Sequence, residues 1–150
     1  MRRLVAIVLF VLGGTGCMLG EGYTARDKVT LAAREYNDGV RWGRYDRAAV
    51  HVAADKRAHF IERHKTLEDE LEFADCEVLD LDLVDPKKKD RAMAHVEYTW
   101  TMKREGLLKK TAIEQVWVER GGQWIVDSET RTKGAPLSLF DEPTKAANSN

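Results

Sequence analysis

From Thr24 onward, Val29, Ala32, Ala33, Tyr36 and Val40 recur at intervals of three and four residues. That spacing places them along one face of a helix. Thr24 stands where an N-cap belongs, and Asp27 lies in the first turn, where the helix dipole favours an acid. Asn37-Asp38-Gly39 interrupts the pattern, so the helix either runs to about Trp42 or breaks near Gly39. Gly43 marks a turn, and Tyr45 to Val52 reads as a short helical piece. Asp55 is placed to cap a third helix through His64, with Ala58, Phe60 and Ile61 as its apolar content. Leu67 to Leu71 fits helix or strand. The period then changes from 3.6 to 2. Leu79, Leu81 and Leu83 alternate with Asp80 and Asp82, the pattern of a half-buried strand. Asp85-Pro86 ends it, and Lys87, Lys88 and Lys89 form a charged loop. Three further strands follow, Ala92 to Met102, Leu108 to Glu119, and Gln123 to about Thr132. They are joined by turns at Glu105-Gly106 and Gly121-Gly122, the second a strong two-residue hairpin signal. Helices first and an antiparallel meander second predict an α+β fold, with N-terminal helices packed on a curved four-stranded antiparallel sheet.

The chain opens differently. Arg2 and Arg3 precede an apolar run from Leu4 to Leu12, followed by small residues and Cys17. This has the layout of an export signal, and the run is too short to span a bilayer, which takes about 20 apolar residues. Gly14-Thr15-Gly16-Cys17 resembles the bacterial lipobox, with Gly14 in place of the usual Leu, Val or Ile. The resemblance implies lipid on Cys17 and cleavage before it. Ordinary signal-peptidase cleavage at the small residues is the alternative. The expected organisation is a signal peptide at 1–16, a lipidated N-terminus and short tether at 17–22, a domain at 23–132 and a flexible tail at 133–150, in which Leu137, Leu139 and Phe140 are available to dock. Met18 after the cysteine leans toward the outer membrane, facing the periplasm. The expected partners are the membrane, through the anchor, and an envelope protein or a second copy of the chain.

Composition narrows the picture further. The 150 residues are the size of one domain. Without Arg2 and Arg3, 22 basic residues face 25 acidic ones, a net charge of −3. That near balance gives no footprint for nucleic acid. After lipidation Cys76 is the one remaining thiol, so no intrachain disulfide is available and the core must hold the fold. Cys76 itself has no neighbouring His or second Cys in sequence to make it a nucleophile. His64, among Glu62, Arg63 and Lys65, reads as surface. His51, Asp55 and His59 would share a helix face only if the helix were continuous. No metal and no cofactor is expected.

Treating both tight turns as two-residue loops assigns the sheet faces. Trp100 then opposes Thr111, Val96 opposes Gln115, and Trp117 opposes Val126. One face collects Val96, Tyr98, Trp100, Ile113, Trp117, Trp124 and Val126. The other collects Met93, His95, Glu97, Glu114, Val116, Val118, Ile125 and Asp127, with Glu97 directly opposite Glu114. The order of three helices and four strands, with Tyr36 to Tyr45 (YNDGVRWGRY) and Trp117 to Trp124 (WVERGGQW), is similar to the nuclear-transport-factor-2-like superfamily. That resemblance implies a cone in which the sheet wraps over the helices. The superfamily includes ketosteroid isomerases and dehydratases as well as noncatalytic modules, so fold alone does not choose a function. If the cone keeps a cavity, its candidate lining is Tyr36, Trp42, Tyr98, Trp100 and Trp117. Isomerase or dehydratase chemistry needs a carboxylate or His inside it. In this register the sheet supplies only Gln115, Ser128 and the Tyr98 hydroxyl as interior polar groups, leaving Asp46, His51 or His59 of the helices to provide one. The expectation is therefore a noncatalytic protein-interaction or assembly-support module without catalytic residues, its candidate interaction face formed by His95, Glu97, Glu114, Val116, Val118 and Ile125. The alternatives are a binder of a small apolar ligand in an aromatic-lined cavity and an isomerase- or dehydratase-like enzyme.

Overall fold

The computed structural model describes residues 22–141; Cys17 and the signal segment lie outside them. Helix α1 spans Ala25–Arg41 and α2 Tyr45–Ala48; a 3-10 turn follows at Ala49–His51, and α3 spans Arg57–Glu68. Strands β1 (Leu71–Leu83), β2 (Arg91–Met102), β3 (Leu108–Arg120) and β4 (Gln123–Gly134) form one antiparallel sheet in the order β1-β2-β3-β4. The α+β architecture read from the sequence is the one observed.

Helix α1 begins with a reciprocal cap. Thr24 Oγ1 accepts from the Asp27 N–H at 3.2 Å, and the Asp27 carboxylate accepts from the Thr24 N–H at 2.9 Å, satisfying two otherwise orphaned donors. The Thr24 hydroxyl also donates to Asp27 Oδ2 at 2.7 Å, and this bond, with that from the Thr24 N–H, holds the Asp27 carboxyl below its usual range. The helix passes through Gly39 without a break, because a small residue is needed there. A Cβ on Gly39 would stand 2.9 Å from the Ala48 Cβ and 3.0 Å from the Ala48 nitrogen. Gly39→Ala gains about 1 kcal/mol of helix propensity but forces α2 outward, at about 1–3 kcal/mol for overpacking. A net loss in urea unfolding is expected, the reverse of an exposed helical Gly→Ala change.

Helix α3 starts later than Asp55 suggests. Arg57 ties down the preceding turn, donating from Nε to the Val52 carbonyl at 3.0 Å and from its terminal nitrogen to the Val50 carbonyl at 3.2 Å. Asp55 is exposed in that turn, so His51, Asp55 and His59 do not share a helix face. The helix continues to Glu68, resolving Leu67 as helical and Leu71 as the start of β1.

The sheet register differs from the sequence reading at the β2–β3 loop and at bulges in β1 and β4. The β2–β3 connection is longer than two residues, since Thr101 pairs with Leu108. Trp100 therefore opposes Lys109, and Val96 opposes Ile113, a slip of two residues that leaves every face unchanged. Glu97 is consequently opposite Ala112 and, on β1, Glu77; Lys110 reaches across to its carboxylate at 2.5 Å. The expected Glu97–Glu114 opposition does not occur, because Glu114 faces His95. In β1 the pairing skips Leu79, which is 53 % exposed while Leu81 is buried. In β4 it skips Asp127: Val116 pairs with Ser128 but Trp117 with Val126. Gly121 and Gly122, with φ of 60° and 86°, make the two-residue hairpin that fixes the β3–β4 start.

The core lies between α1 and the inner sheet face. Val29, Ala33, Tyr36 and Val40 meet Val96, Tyr98, Ile113 and Trp117. Past β4 the chain folds back: Leu137, Leu139 and Phe140 are buried in the same core, so the docking open to them is realised and packing extends beyond residue 132 to Asp141. Residues 142–150 lie outside the described chain.

Candidate active site

The extra residue at Asp127 decides the chemistry. It advances the register by one, so Glu129, not Ser128, pairs with Gln115 and points into the cone. The sequence-based expectation that no strand acid occupies the interior is corrected by this bulge. Glu129 is partly buried. Its Oε2 accepts from the Tyr36 hydroxyl at 2.8 Å and its Oε1 from Gln115 Nε2 at 2.8 Å. Behind it Gln115 and Asn37 exchange bonds, Nε2 to Oδ1 at 2.9 Å and Nδ2 to Oε1 at 3.1 Å. Asn37 Nδ2 also donates to the Ala33 carbonyl at 2.8 Å, and the Tyr98 hydroxyl donates to Asn37 Oδ1. Trp117 Nε1 donates to Gln115 Oε1 at 3.3 Å. A fully satisfied network of this kind holds its members in one arrangement.

Burial is the dominant influence on Glu129 and raises its pKa; the bonds from Tyr36 and Gln115 and the nearby Arg63 oppose it, and Asp141 adds to it, leaving the group at about 7. Burial also drives the Tyr36 and Tyr98 phenols well above their ordinary value, with the negative charge of Glu129 reinforcing it, so both stay protonated donors. A carboxylate offers about four lone-pair positions. The two bonds to Glu129 leave room for a proton in transit.

Glu129 lines a hollow of about 230 Å³ between α3 and β4, together with Tyr36, Phe60, Arg63, His64 and Leu139. Lys56, His59 and Ser128 add polar groups to its wall. His64, expected at the surface, is 4 % exposed and packed between the Phe60 ring at 4.1 Å and the Tyr45 ring at 5.2 Å. Burial pushes its pKa down to about 4.

The candidate cavity residues separate. Tyr36 reaches the hollow. Tyr98 and Trp117 are packed core: Trp117 lies edge-on to Tyr36 at 5.7 Å, and Tyr98 is stacked on Phe140 at 5.2 Å. Trp100 is buried with its Nε1 bonded to Thr111 Oγ1 at 2.8 Å. Trp42 is 61 % exposed, outside the core, with the Arg41 guanidinium 4.7 Å from its ring centre. Of the helical candidates, Asp46 is exposed and His59 is exposed at the hollow's wall. Both His51 nitrogens are engaged, with the Trp124 carbonyl and Glu35 Oε2, each at 3.1 Å. Cys76 is half-buried, its thiol pushed up to about 12 by burial, consistent with no nucleophilic role. On the outer face His95 lies 2.7 Å from Asp80 and 3.7 Å from Glu114. Val116 and Val118 are half-buried beside it, but Ile125 is buried and is not presented to a partner. No cluster of metal-ligating side chains occurs among the described residues.

No family model and no curated protein matches the sequence. Solved structures do. A ketosteroid isomerase-like protein from Erwinia carotovora atroseptica superposes with a TM-score of 0.56 at 12 % identity, covering 72 % of this chain and 96 % of its own. A polyketide-cyclase candidate from Xanthomonas campestris gives 0.54 at 16 % identity over 72 % and 91 %. A scytalone-dehydratase candidate from Novosphingobium aromaticivorans gives 0.55 at 10 % identity over 79 % and 93 %. The fold is the nuclear-transport-factor-2-like cone. The expectation of a noncatalytic module, and of a chain that is not an enzyme, is overturned. It rested on a cone without an interior acid, and Glu129 is one, in a fold whose solved examples carry isomerase, cyclase and dehydratase descriptions.

Proposed function

We propose that this chain is a proton-transfer enzyme of the isomerase or dehydratase kind, with Glu129 as its general base. The observation that carries the reading is Glu129 itself: an interior carboxylate, oriented by Tyr36 and Gln115, on the wall of a hollow of about 230 Å³ and balanced near neutral pH. A base works best when its pKa lies near the operating pH. In its charged form Glu129 takes a proton from the carbon beside a substrate carbonyl, and the C–H electron pair passes into an enolate. Lys56 and Arg63 in the same wall are the donors available to the enolate oxygen. The resulting carboxylic acid returns the proton to another carbon, as in conjugation of a double bond, or to a departing hydroxyl, as in dehydration. Either way Glu129 ends as it began. At about 230 Å³ the hollow limits the substrate to a small molecule.

The test is conversion of a β,γ-unsaturated cyclic ketone to its conjugated isomer, followed by ultraviolet absorbance. Acceleration over buffer is expected, rising with pH through an inflection near 7 as Glu129 loses its proton. Absence of acceleration, or an unchanged rate in Glu129→Gln, would refute the assignment.

The address proposed for this activity is the bacterial envelope, with the cone tethered through lipid on Cys17. The support is the signal layout and the lipobox resemblance in the first 17 residues. Two or more acyl chains give stable anchoring. Labelled palmitate should enter the wild-type chain and not Cys17→Ser, and the variant should leave the membrane fraction. Equal membrane retention of the two forms would remove the tether.

A further inference from the structure

The hollow has two unlike walls. Lys56, His59 and Arg63 line it from the start of α3 and its first two turns. Phe60 stands at i+4 from Lys56 and i−3 from Arg63, and its ring meets Tyr36 at 5.8 Å, so Lys56 and Arg63 share the face that α3 turns toward the sheet. Asp127, Glu129 and Asp141 line the opposite wall, from β4 and the closing segment. The charges do not neutralise one another across the gap. Among the described residues Lys56, His59 and Arg63 form no ion pair. Asp127 is paired with Arg120 at 3.1 Å, and Glu129 is bonded to Tyr36 and Gln115. Lys56 and His59 are exposed at the rim, and Arg63 is half-buried. The Arg63 guanidinium has five N–H donors; one goes to the Ser138 carbonyl, and its charge reaches both Tyr36 and Glu129. A partly desolvated cation without a counter-ion is unfavourable until an anion joins it.

We propose that the substrate of this site is a small oxo acid, its carboxylate held on the α3 wall by Lys56 and Arg63 and the carbon beside its carbonyl turned to Glu129. The assignment rests on the reading of Glu129 as general base and narrows its substrate class. The planar fork of Arg63 suits two oxygens at once. When carbonyl and carboxylate are adjacent, one oxygen of each can face the same way. The wall that binds the carboxylate then also meets the oxygen on which charge builds as the C–H electron pair enters the enolate. The proton passes to Glu129 and returns to carbon, so the step balances without a co-reactant. The apolar remainder of the molecule rests on Tyr36, Phe60, Val126 and Leu139. A neutral ketone of the same size meets the base but not the cationic wall, and binds more weakly.

The experiment measures binding of phenylpyruvate, an oxo acid, and of phenylpyruvamide, its uncharged counterpart of nearly equal size, by calorimetry on Glu129→Gln, which binds without turnover. The acid is expected to bind at least about tenfold more tightly than the amide, the lower end for a hydrogen bond to a charged group. Its advantage should shrink as salt rises from about 0.01 M to about 1 M, where the screening length falls from about 30 Å to about 3 Å. Adding Arg63→Gln should weaken the acid by about tenfold, and adding the exposed Lys56→Gln, which leaves the core untouched, by up to about fivefold; neither should change binding of the amide. The inference is overturned if acid and amide bind equally, if the advantage is indifferent to salt and to both substitutions, or if neither compound binds. Should the neutral-ketone assay fail while the acid is preferred, the carboxylate subsite stands and the general-base reading falls. Ketone conversion without any preference for the acid separates them the other way.

Discussion

Glu129→Gln is expected to lose activity and gain stability at the same pH. On the ketone conjugation its kcat/KM should fall by about 10²–10⁴, the range for removing a positioned general base. The stability change follows from linkage. The Glu129 carboxyl sits at about 7 in the fold against an ordinary 4.5. Between those values the folded state binds more protons than the unfolded chain, so stability falls as pH rises through the interval and stays low above it. A displacement of that size corresponds to about 3 kcal/mol at pH 8, less some relaxation around a group that is only partly buried. An amide removes this penalty but gives up one of the two acceptor oxygens that Tyr36 and Gln115 now use. A net gain of roughly 1–2 kcal/mol at pH 8, shrinking to nothing or reversing near pH 4.5, is the expected outcome of urea unfolding across the range. A variant that is destabilised equally at every pH would mean the carboxylate is structural. His64 supplies an internal check. Its pKa is lowered in the fold to about 4, so its contribution is full above about 6.5 and is lost as pH falls toward 4. The two effects oppose each other in mildly acid solution, and the wild-type curve should be nearly flat there.

This pairing also explains what was legible in the sequence. The helical period of Val29, Ala33, Tyr36 and Val40 and the Thr24 cap are local signals, and α1 formed as they require. The aromatic face survived a wrong loop length because the slip between β2 and β3 was even, and a period of two forgives even errors. The slip in β4 was odd. One extra residue at Asp127 exchanged Ser128 for Glu129 at the interior position, which reversed the functional conclusion while leaving the fold untouched. A signal was present: after Trp124, Ile125 and Val126 the alternation stops at Asp127-Ser128, two poor strand formers in mid-strand, the kind of place where a bulge enters. His64 was hidden for a different reason. Its sequence neighbours are charged, but a helix surface is set by residues three and four away, and Phe60 lies on its face. Trp42 shows the converse, a large aromatic one residue past the helix end whose ring was carried outward to Arg41.

Phe140→Ala is expected to lower stability by about 3 kcal/mol, near the bottom of the range for a buried Phe→Ala change, because a chain end relaxes into part of the space. Phe140 is 5 % exposed and stacks on Tyr98 at 5.2 Å, covering the end of the network that runs from Tyr98 through Asn37 and Gln115 to Glu129. The segment it belongs to also pairs with β4: the Arg131 N–H donates to the Asp141 carbonyl at 2.7 Å, and the Asp141 N–H donates to the Glu129 carbonyl at 2.9 Å. Those bonds fix the backbone of Glu129, while Leu139 forms part of the wall beside it. Loosening the segment therefore acts on the site as well as the core. Water admitted around Glu129 weakens the burial that raises its pKa, so the pH inflection of ketone conjugation should move down from about 7 toward the ordinary carboxylate value. A lower urea midpoint with an unmoved inflection would show that the closing segment supports the core alone. Movement of both would make it the element that keeps the base dry enough to work at neutral pH.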